Sequence, residues 1–223
     1  MDAALYQSLI DSGFRRSGGY LYRPNCPHCN ACVSVRVPVD AFRPNRSQRR
    51  CLRSNGDIEL RIRSSEALVE HHDLYVRYLQ TRHPGAGMSE SASSLDDYLE
   101  FLDSPWSTTL CYEFHRDGRV IAVAVTDQLP QGLSAVYTFF EPSMPTAGLG
   151  TYAILCQIDQ ARHEGRPWLY LGYWIAGSQK MNYKERFRPI QGWSGTEWAT
   201  FGKGEAIEFA TGVPVLTDPP SQY

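Results

Sequence analysis

No window of the chain approaches the roughly eighteen uninterrupted apolar residues of a membrane-crossing helix, so no helical span and no membrane partner are expected. The opening Met1-Asp2-Ala3-Ala4 has neither a basic n-region nor an apolar core, so no secretory leader is expected and the expected compartment is the cytoplasm. A disulfide framework is not expected either: of the six cysteines, three crowd into seven residues, which suits a reducing compartment better. Between residues 15 and 63 lysine is missing altogether, and only Asp40, Asp57 and Glu59 are acidic. Eleven arginines give that stretch a local charge of +8, so the rest of the chain sums to −10 beneath a net charge of −2. Such segregation builds a steering field for a polyanion while the whole molecule stays soluble, and arginine is the better residue for forked contacts to phosphate. With 223 residues, 42% hydrophobic and 12% aromatic, the chain is long enough to bury a proper core as one large domain or two small ones.

What is present begins with Cys26-Pro-His28-Cys29-Asn-Ala-Cys32. Thiolates two residues apart can turn onto one soft metal ion or an iron-sulfur cluster. The alternative is a set of reduced structural cysteines. Three sulfurs are one short of a closed tetrahedral site. His28, Cys51 or a group outside this stretch then supplies the fourth ligand, or the site is open.

Leu5, Tyr6, Leu9, Ile10 and Phe14 recur at helical spacing with Gly13 near the stop, predicting an opening helix. Val33, Val35, Val37 and Val39 alternate with Ser34, Arg36 and Pro38, which predicts a half-buried strand, with Pro38 pointing to a sheet edge. On a helix closed by Asn55-Gly56, Arg46, Arg49, Arg50 and Arg53 fall at i, i+3, i+4 and i+7, so one face is wholly cationic. Like charges repel there, and a bound nucleic acid relieves the repulsion; the other reading is a solvated charged face. Ile58, Leu60 and Ile62 alternate as another strand. Residues 65 to 82 read as one long helix with Leu68, His72, Tyr75 and Leu79 on one side. His71, His72 and His83 are read as structural rather than metal-binding. Gly85-Ala-Gly87 and Ser89 to Ser94 read as a connection, placing the boundary between residues 84 and 94. The expected units are an N-terminal cysteine-containing, arginine-rich α/β subdomain, 1–84, and a second domain, 85–223. Ser94 followed by Asp97 reads as a helix-starting capping pattern.

The second half changes rhythm. Leu110, Tyr112 and Phe114 alternate up to Asp117-Gly118, and Val120, Ala122 and Ala124 alternate down, which predicts a hairpin. A third strand over 133–140, a Gly148-Leu-Gly150-led helix over 151–163 and a buried strand over 168–172 follow. That order resembles the GNAT acyltransferase core, an α/β (α+β) fold in which the helix N-terminus meets an acyl donor's phosphates.

Tyr22-Arg-Pro with Cys26, Cys29 and Cys32, Arg36-Val-Pro, Phe42 through Arg46-Ser-Gln-Arg49-Arg50, Val125-Thr-Asp127 before Leu129-Pro130, Leu149-Gly-Thr-Tyr152 and Tyr170-Leu-Gly-Tyr173-Trp174 through Lys180, Tyr183 and Lys184 closely resemble the bacterial aspartate/glutamate leucyltransferases of the arginyl-tRNA-protein transferase family. The resemblance runs from about Leu5 to Trp193 in the family's order. It implies leucine transfer from Leu-tRNA to proteins beginning with Asp or Glu, which marks them for degradation through the N-degron pathway. Two departures accompany it. Members usually begin earlier, with a segment holding a Cys before a Tyr-Leu pair, and if that Cys is a ligand then metal binding here is impaired or completed by another group. The family's Arg-Ser before Leu-Gly-Thr is replaced by Ala147-Gly148.

An aminoacyl ester is already activated, so holding an amine against it supplies most of the catalysis by proximity. No cofactor is required for that chemistry, although the cysteines are candidates for zinc or an iron-sulfur cluster. Asp127, before Leu-Pro, is the catalytic candidate, accepting the amine's proton or orienting the ammonium group; its other reading is a turn-capping aspartate. Tyr173, Lys180, Tyr183 and Lys184 are candidates to hold the tRNA 3′ end, and Arg36, Lys180 and Lys184 to read the acceptor's carboxylate. Arg46, Arg49 and Arg50 complete the expected tRNA-binding set. The competing readings are an arginyl-transferring enzyme, a GNAT acetyltransferase using acetyl-CoA and a non-catalytic RNA-binding zinc module.

Overall fold

The computed structural model describes residues 1–82, 94–144 and 147–209. Its N-terminal elements are α1 (Ala3–Asp11), β1 (Arg15–Ser17), β2 (Tyr20–Tyr22), β3 (Val33–Pro38), α2 (Arg46–Ser54), β4 (Glu59–Ser64), a 3-10 helix (Ser65–His71) and α3 (His72–Arg82). There follow α4 (Leu95–Leu102), β5 (Thr108–Arg116), β6 (Arg119–Leu129), β7 (Gly132–Phe140), α5 (Leu149–His163), β8 (Trp168–Trp174), a second 3-10 helix (Asn182–Arg186), β9 (Ile190–Trp193) and β10 (Trp198–Phe201). Eight strands form one sheet in the order β10-β9-β3-β8-β7-β6-β5-β4, while β1 and β2 pair as a separate hairpin. The sheet therefore takes strands from both sides of residues 84–94; most of the connection expected there, with His83, lies outside the described residues.

Every pairing is antiparallel except β7 with β8. That parallel pair is joined at only three registers, Gly132–Trp168, Leu133–Leu169 and Ser134–Tyr170. Beyond them residues 135–140 of β7 and 171–174 of β8 do not pair with one another, and the sheet is open between them. Gly132 is needed where the two strands do meet: a Cβ there would stand 2.8 Å from both the Trp168 carbonyl oxygen and Tyr170 Cε2. With the α5 crossover between them, these strands give the mixed α/β, GNAT-like core that the order of elements implied.

Alternation along β6 sorts the two faces. Ala122 and Ala124 join Val33, Val35, Val37, Leu169 and Leu171 beneath α5, and Thr126 accepts a hydrogen bond from Gln157 of that helix at 2.7 Å. Val123 and Val125 pack beneath the helices that contribute Leu68, Tyr75, Leu79 and Tyr98. Asp127 and Leu129 continue that second face under α1, where Leu129 meets Tyr6, Ile10 and Tyr170.

Local signals account for most elements. Asp2 caps α1 by accepting from Leu5 N at 2.8 Å. Asn45 and Gln48 cap α2 reciprocally. Asp117 and Gly118, at φ 51° and 73°, make the left-handed turn that joins β5 to β6, and Ser94 caps α4 through Asp97 N.

Two expectations are corrected. Pro38 does not mark a sheet edge, because β3 lies between β8 and β9 and is buried on both faces. Pro38 is tolerated because it is the last residue of the strand, beyond Val35 and Arg36 where β9 pairs. Residues 65–82 are not one α-helix, since the first seven form a 3-10 helix. Tertiary bonds hold that tighter segment in place: Tyr98 Oη donates to the Leu68 carbonyl at 3.0 Å, and His71 Nε2 lies 2.7 Å from the buried Glu113 carboxylate, which also receives Arg63 and His115.

Candidate active site

Four elements converge on the opening between β7 and β8. The loop after β7 brings Gly148, at φ 64°, to the N-terminus of α5, beside the unpaired end of β7. Helix α2 packs against that loop: Asn55 Nδ2 donates to the Ala147 carbonyl at 2.8 Å, and Cys51 Sγ lies 3.6 Å from the Gly148 carbonyl oxygen. At its other end α2 holds the second 3-10 helix, through the buried Gln48, whose Nε2 donates to the Arg186 carbonyl at 3.1 Å. That 3-10 helix carries Tyr183 and Lys184 onto the unpaired end of β8. Fixed this way, α2 turns Arg46, Arg49, Arg50 and Arg53 outward, and all four are exposed. Among the described residues none of them forms an ion pair. The helix that bears this four-arginine face thus lies beside the α5 N-terminus, whose unsatisfied amides favour anions, with Gln48, Cys51 and Asn55 on the contacting side and the arginines on the solvent side.

The remaining arginines of the basic stretch are spent differently. Arg61 and Arg63 pair with Glu59 and Glu70. Arg15, Arg16 and Arg36 are buried. The guanidinium of Arg36 lies 3.7 Å from the ring centre of Trp168 and 4.1 Å from that of Trp198. It donates to Asp11 and Gln191, each at 2.8 Å. With both faces stacked and its edge bonded, Arg36 is committed to joining α1 to the sheet and does not face tRNA or acceptor.

Asp127 is also placed against its expected role. Its carboxylate is fully buried and accepts bonds from Arg16 Nε (2.6 Å) and Nη2 (2.8 Å), Tyr6 Oη (2.8 Å), Thr109 Oγ1 (2.8 Å) and Ser107 Oγ (3.2 Å). Five donors leave no lone pair directed at an incoming amine. Burial, reinforced by the charge and hydrogen bond of Asp127, raises the Tyr6 phenol far above its ordinary range, so it stays a donor. Asp127 is therefore a structural anchor in this geometry rather than a proton acceptor.

On β8, a bulge skips Leu171 between the Val35–Gly172 and Arg36–Tyr170 pairs. Gly172 takes φ 82°, a left-handed conformation that favours glycine. Around this bulge lie Tyr173, whose hydroxyl donates to the Gly13 carbonyl at 2.9 Å, and Lys184, whose Nζ donates to the Tyr173 carbonyl. Lys184 is 8% exposed. Burial, and after it the charge of Arg15, brings its ammonium down to about 7. Lys180 is exposed, and the Tyr183 ring is 39% exposed. The sequence-derived candidates thus divide into an outer basic surface, Arg46, Arg49, Arg50 and Lys180; an inner wall, Tyr173, Tyr183 and Lys184; and two buried structural residues, Arg36 and Asp127.

Cys26, Cys29 and Cys32 sit on one knuckle between β2 and β3, closed by the Cys29 N to Cys26 O bond at 3.3 Å. Burial pushes the Cys32 thiol up, with added contributions from Cys29 and Cys26. Cys51 lies instead on α2 against Gly148, and His28 is exposed. Among the described residues no group of three or more His, Cys, Asp or Glu side chains converges as a metal-ligand set. The donor set as placed therefore does not fit a closed metal site.

Sequence reasoning missed Arg15 and Arg16, counting them only as surface charge. The available signal was Gly18-Gly19, which between Arg15-Arg16-Ser17 and Tyr20-Leu21-Tyr22 marks a hairpin. Among the described residues no helix is long and apolar enough to cross a membrane.

The state of Lys184 has a pH signature. From about pH 7 up to about 10.5 the unfolded chain binds a proton that the folded chain does not, so this residue makes stability rise with pH across that window; below about pH 7 its cost is fully present. Lys184→Met is expected to be more stable than the parent in urea at pH 6.5, with the advantage shrinking towards pH 9.5. A difference that does not vary with pH contradicts this assignment.

A family model described as arginine-tRNA-protein transferase, N terminus, matches residues 1–50, and its C-terminus counterpart matches residues 70–194. Aspartate/glutamate leucyltransferase from Alkalilimnicola ehrlichii is 48% identical over 201 residues, covering 90% of this chain and 83% of that one. The protein of the same name from Nitrosococcus oceani is 49% identical, covering 89% and 83%, and that from Stenotrophomonas maltophilia is 48% identical, covering 89% and 80%. Among solved structures, L-PGS from Bacillus licheniformis superposes with a TM-score of 0.51 at 14% identity over 79% of this chain and 62% of that one, a likeness of fold alone. The chain belongs to the arginine-tRNA-protein transferase family.

Proposed function

We propose that the protein is an aminoacyl-tRNA-protein transferase that moves leucine from Leu-tRNA to the N-terminal α-amine of proteins beginning with Asp or Glu. The observation that carries this reading is the exposed four-arginine face of α2, a helix whose other side packs against the start of α5 near the opening between β7 and β8. A small acyl carrier needs no such extended cationic surface, whereas a tRNA acceptor arm does. A binding module, conversely, has no use for an opening in a GNAT-like sheet. The names of the relatives supply the leucine and the acidic acceptor. A tRNA donor places the reaction in the cytoplasm, and its product is a leucine-tagged substrate for N-degron degradation.

The chemistry is acyl transfer. The neutral α-amine attacks the ester carbonyl carbon, the bond to the tRNA ribose oxygen breaks, an amide forms, and the proton lost by the amine passes to the leaving hydroxyl. An α-amine with a pKa of roughly 7.7 to 8.0 is neutral in the cytoplasm at a cost of only about 1 kcal/mol, so a strong buried base is unnecessary. Positioning therefore carries most of the rate. The peptide groups that the short β7–β8 pairing leaves without a cross-strand partner are the proposed donors to a developing oxyanion. No step uses a metal.

The direct test incubates the protein with labelled Leu-tRNA, Arg-tRNA or acetyl-CoA and peptides beginning with Asp, Glu, Lys or Phe. Label from Leu-tRNA is expected on the Asp and Glu peptides. Transfer only from acetyl-CoA, or only to Lys peptides, overturns the reading. A second measurement checks the arginine face: Arg49→Ala combined with Arg50→Ala should weaken tRNA binding and lower its log–log salt slope by on the order of one to two, because fewer counterions are released. An unchanged slope removes α2 from the tRNA site.

A further inference from the structure

Buried arginines are normally paired, and two of the three here are: Arg16 with Asp127 and Arg36 with Asp11. Arg15 is the exception. It is 4% exposed; its Nη2 donates to the Val35 carbonyl at 3.0 Å and to the Gly172 carbonyl at 3.4 Å. Its Nε and Nη1 are buried without a partner. Its guanidinium carbon lies 5.5 Å from the centre of the Tyr170 ring, and among the described residues no carboxylate pairs with it. Lys184 meets the same bulge, its Nζ donating to the Tyr173 carbonyl. A Cβ on Gly172 would stand 3.5 Å from Lys184 Nζ, and among the described residues that ammonium has no ion pair either. The nearby Ser34, facing away from Val33 and Val35 on β3, has a buried hydroxyl that is also without a partner.

Two buried cations sharing one bulge repel one another and lack compensation, an arrangement that is costly unless an anion arrives. Gly172 and Tyr173 belong to the part of β8 that leaves β7, so the pair meets the strand that borders the opening where amine and ester are proposed to meet. The tRNA phosphates have their own exposed surface on α2. The remaining anion in the reaction is the side-chain carboxylate of the acceptor, one or two carbons from the atom that bears the amine.

We propose that Arg15 and Lys184 together bind the side-chain carboxylate of the acceptor's N-terminal Asp or Glu, and so set its specificity and aim its amine. Arg15 offers an unpartnered N–H at Nε or at Nη1, two edges that do not form one fork, and Lys184 a point charge beside it, so that each cation can meet one oxygen of a carboxylate. The inference rests on the leucyl-transfer reading and adds the residues that select the acceptor.

The test compares kcat/KM for paired peptides beginning with Asp and Asn, which differ in charge but hardly in shape. The parent is expected to favour Asp by roughly ten- to a hundredfold. Lys184→Met should reduce that ratio by roughly five- to tenfold, mainly through KM for the Asp peptide, while Lys184→Arg should keep most of it. Methionine removes a buried unpaired charge, so the variant is expected to fold, which a thermal melt verifies. A folded Lys184→Met with the parent's Asp/Asn ratio overturns the inference. So does an equal loss with both peptides accompanied by weaker Leu-tRNA binding, because the pair would then serve the donor. A parent that transfers leucine to Asp and Asn peptides equally also overturns it and leaves leucyl transfer standing. If the parent transfers leucine to no peptide, it is the proposed function that fails.

Discussion

The buried ion pair between Arg16 and Asp127 is the interaction on which the site's geometry depends. Arg16 also donates to the carbonyls of Leu102, Asp103 and Gly18, so one guanidinium ties the N-terminal hairpin to the end of α4 and to β6. Tyr6 brings α1 to the same carboxylate. Because β1 carries Arg15 beside Arg16, fixing one guanidinium against β6 fixes the other against the bulge of β8. Removing one partner of such a pair costs about 3–5 kcal/mol, while exchanging both for apolar groups is often neutral. The pair therefore specifies an arrangement more than it adds stability.

Around that anchor the molecule divides its positive charge by depth. The arginines of α2 stay in water, where they act through long-range attraction and counterion release. Arg16 and Arg36 are sealed by carboxylates and by the rings of Trp168 and Trp198. Arg15 and Lys184 lie between these extremes, desolvated yet unpaired. Charges in that state respond most strongly to one incoming anion, because little solvent remains to screen it. The parallel contact of β7 and β8 ends after three residue pairs, and that early end frees the part of β8 that Arg15 and Lys184 contact.

Much of this was legible in the chain. The alternation on either side of Asp117-Gly118, the capped helix from Arg46 and the Gly148-led helix each occur where the pattern places them, because local turn and cap chemistry decides them. What alternation cannot encode is burial of a charged residue. Arg15, Arg16, Arg36 and Asp127 all look like surface polar groups until partners more than a hundred positions away, or rings from β8 and β10, close around them. The 3-10 start of residues 65–82 was equally invisible, since it depends on Tyr98 and Glu113. Pro38 misled for a related reason: a proline at a strand's last residue needs no sheet edge.

The anchor is tested most directly by a double-mutant cycle on Arg16→Met and Asp127→Asn, read by urea unfolding of the parent, each single variant and the double. A coupling free energy on the order of 1.5–3 kcal/mol is predicted, with the second substitution costing far less than the first. Single losses that add to within about 0.5 kcal/mol would contradict the account, because the two residues would then be holding the N-terminal segment independently.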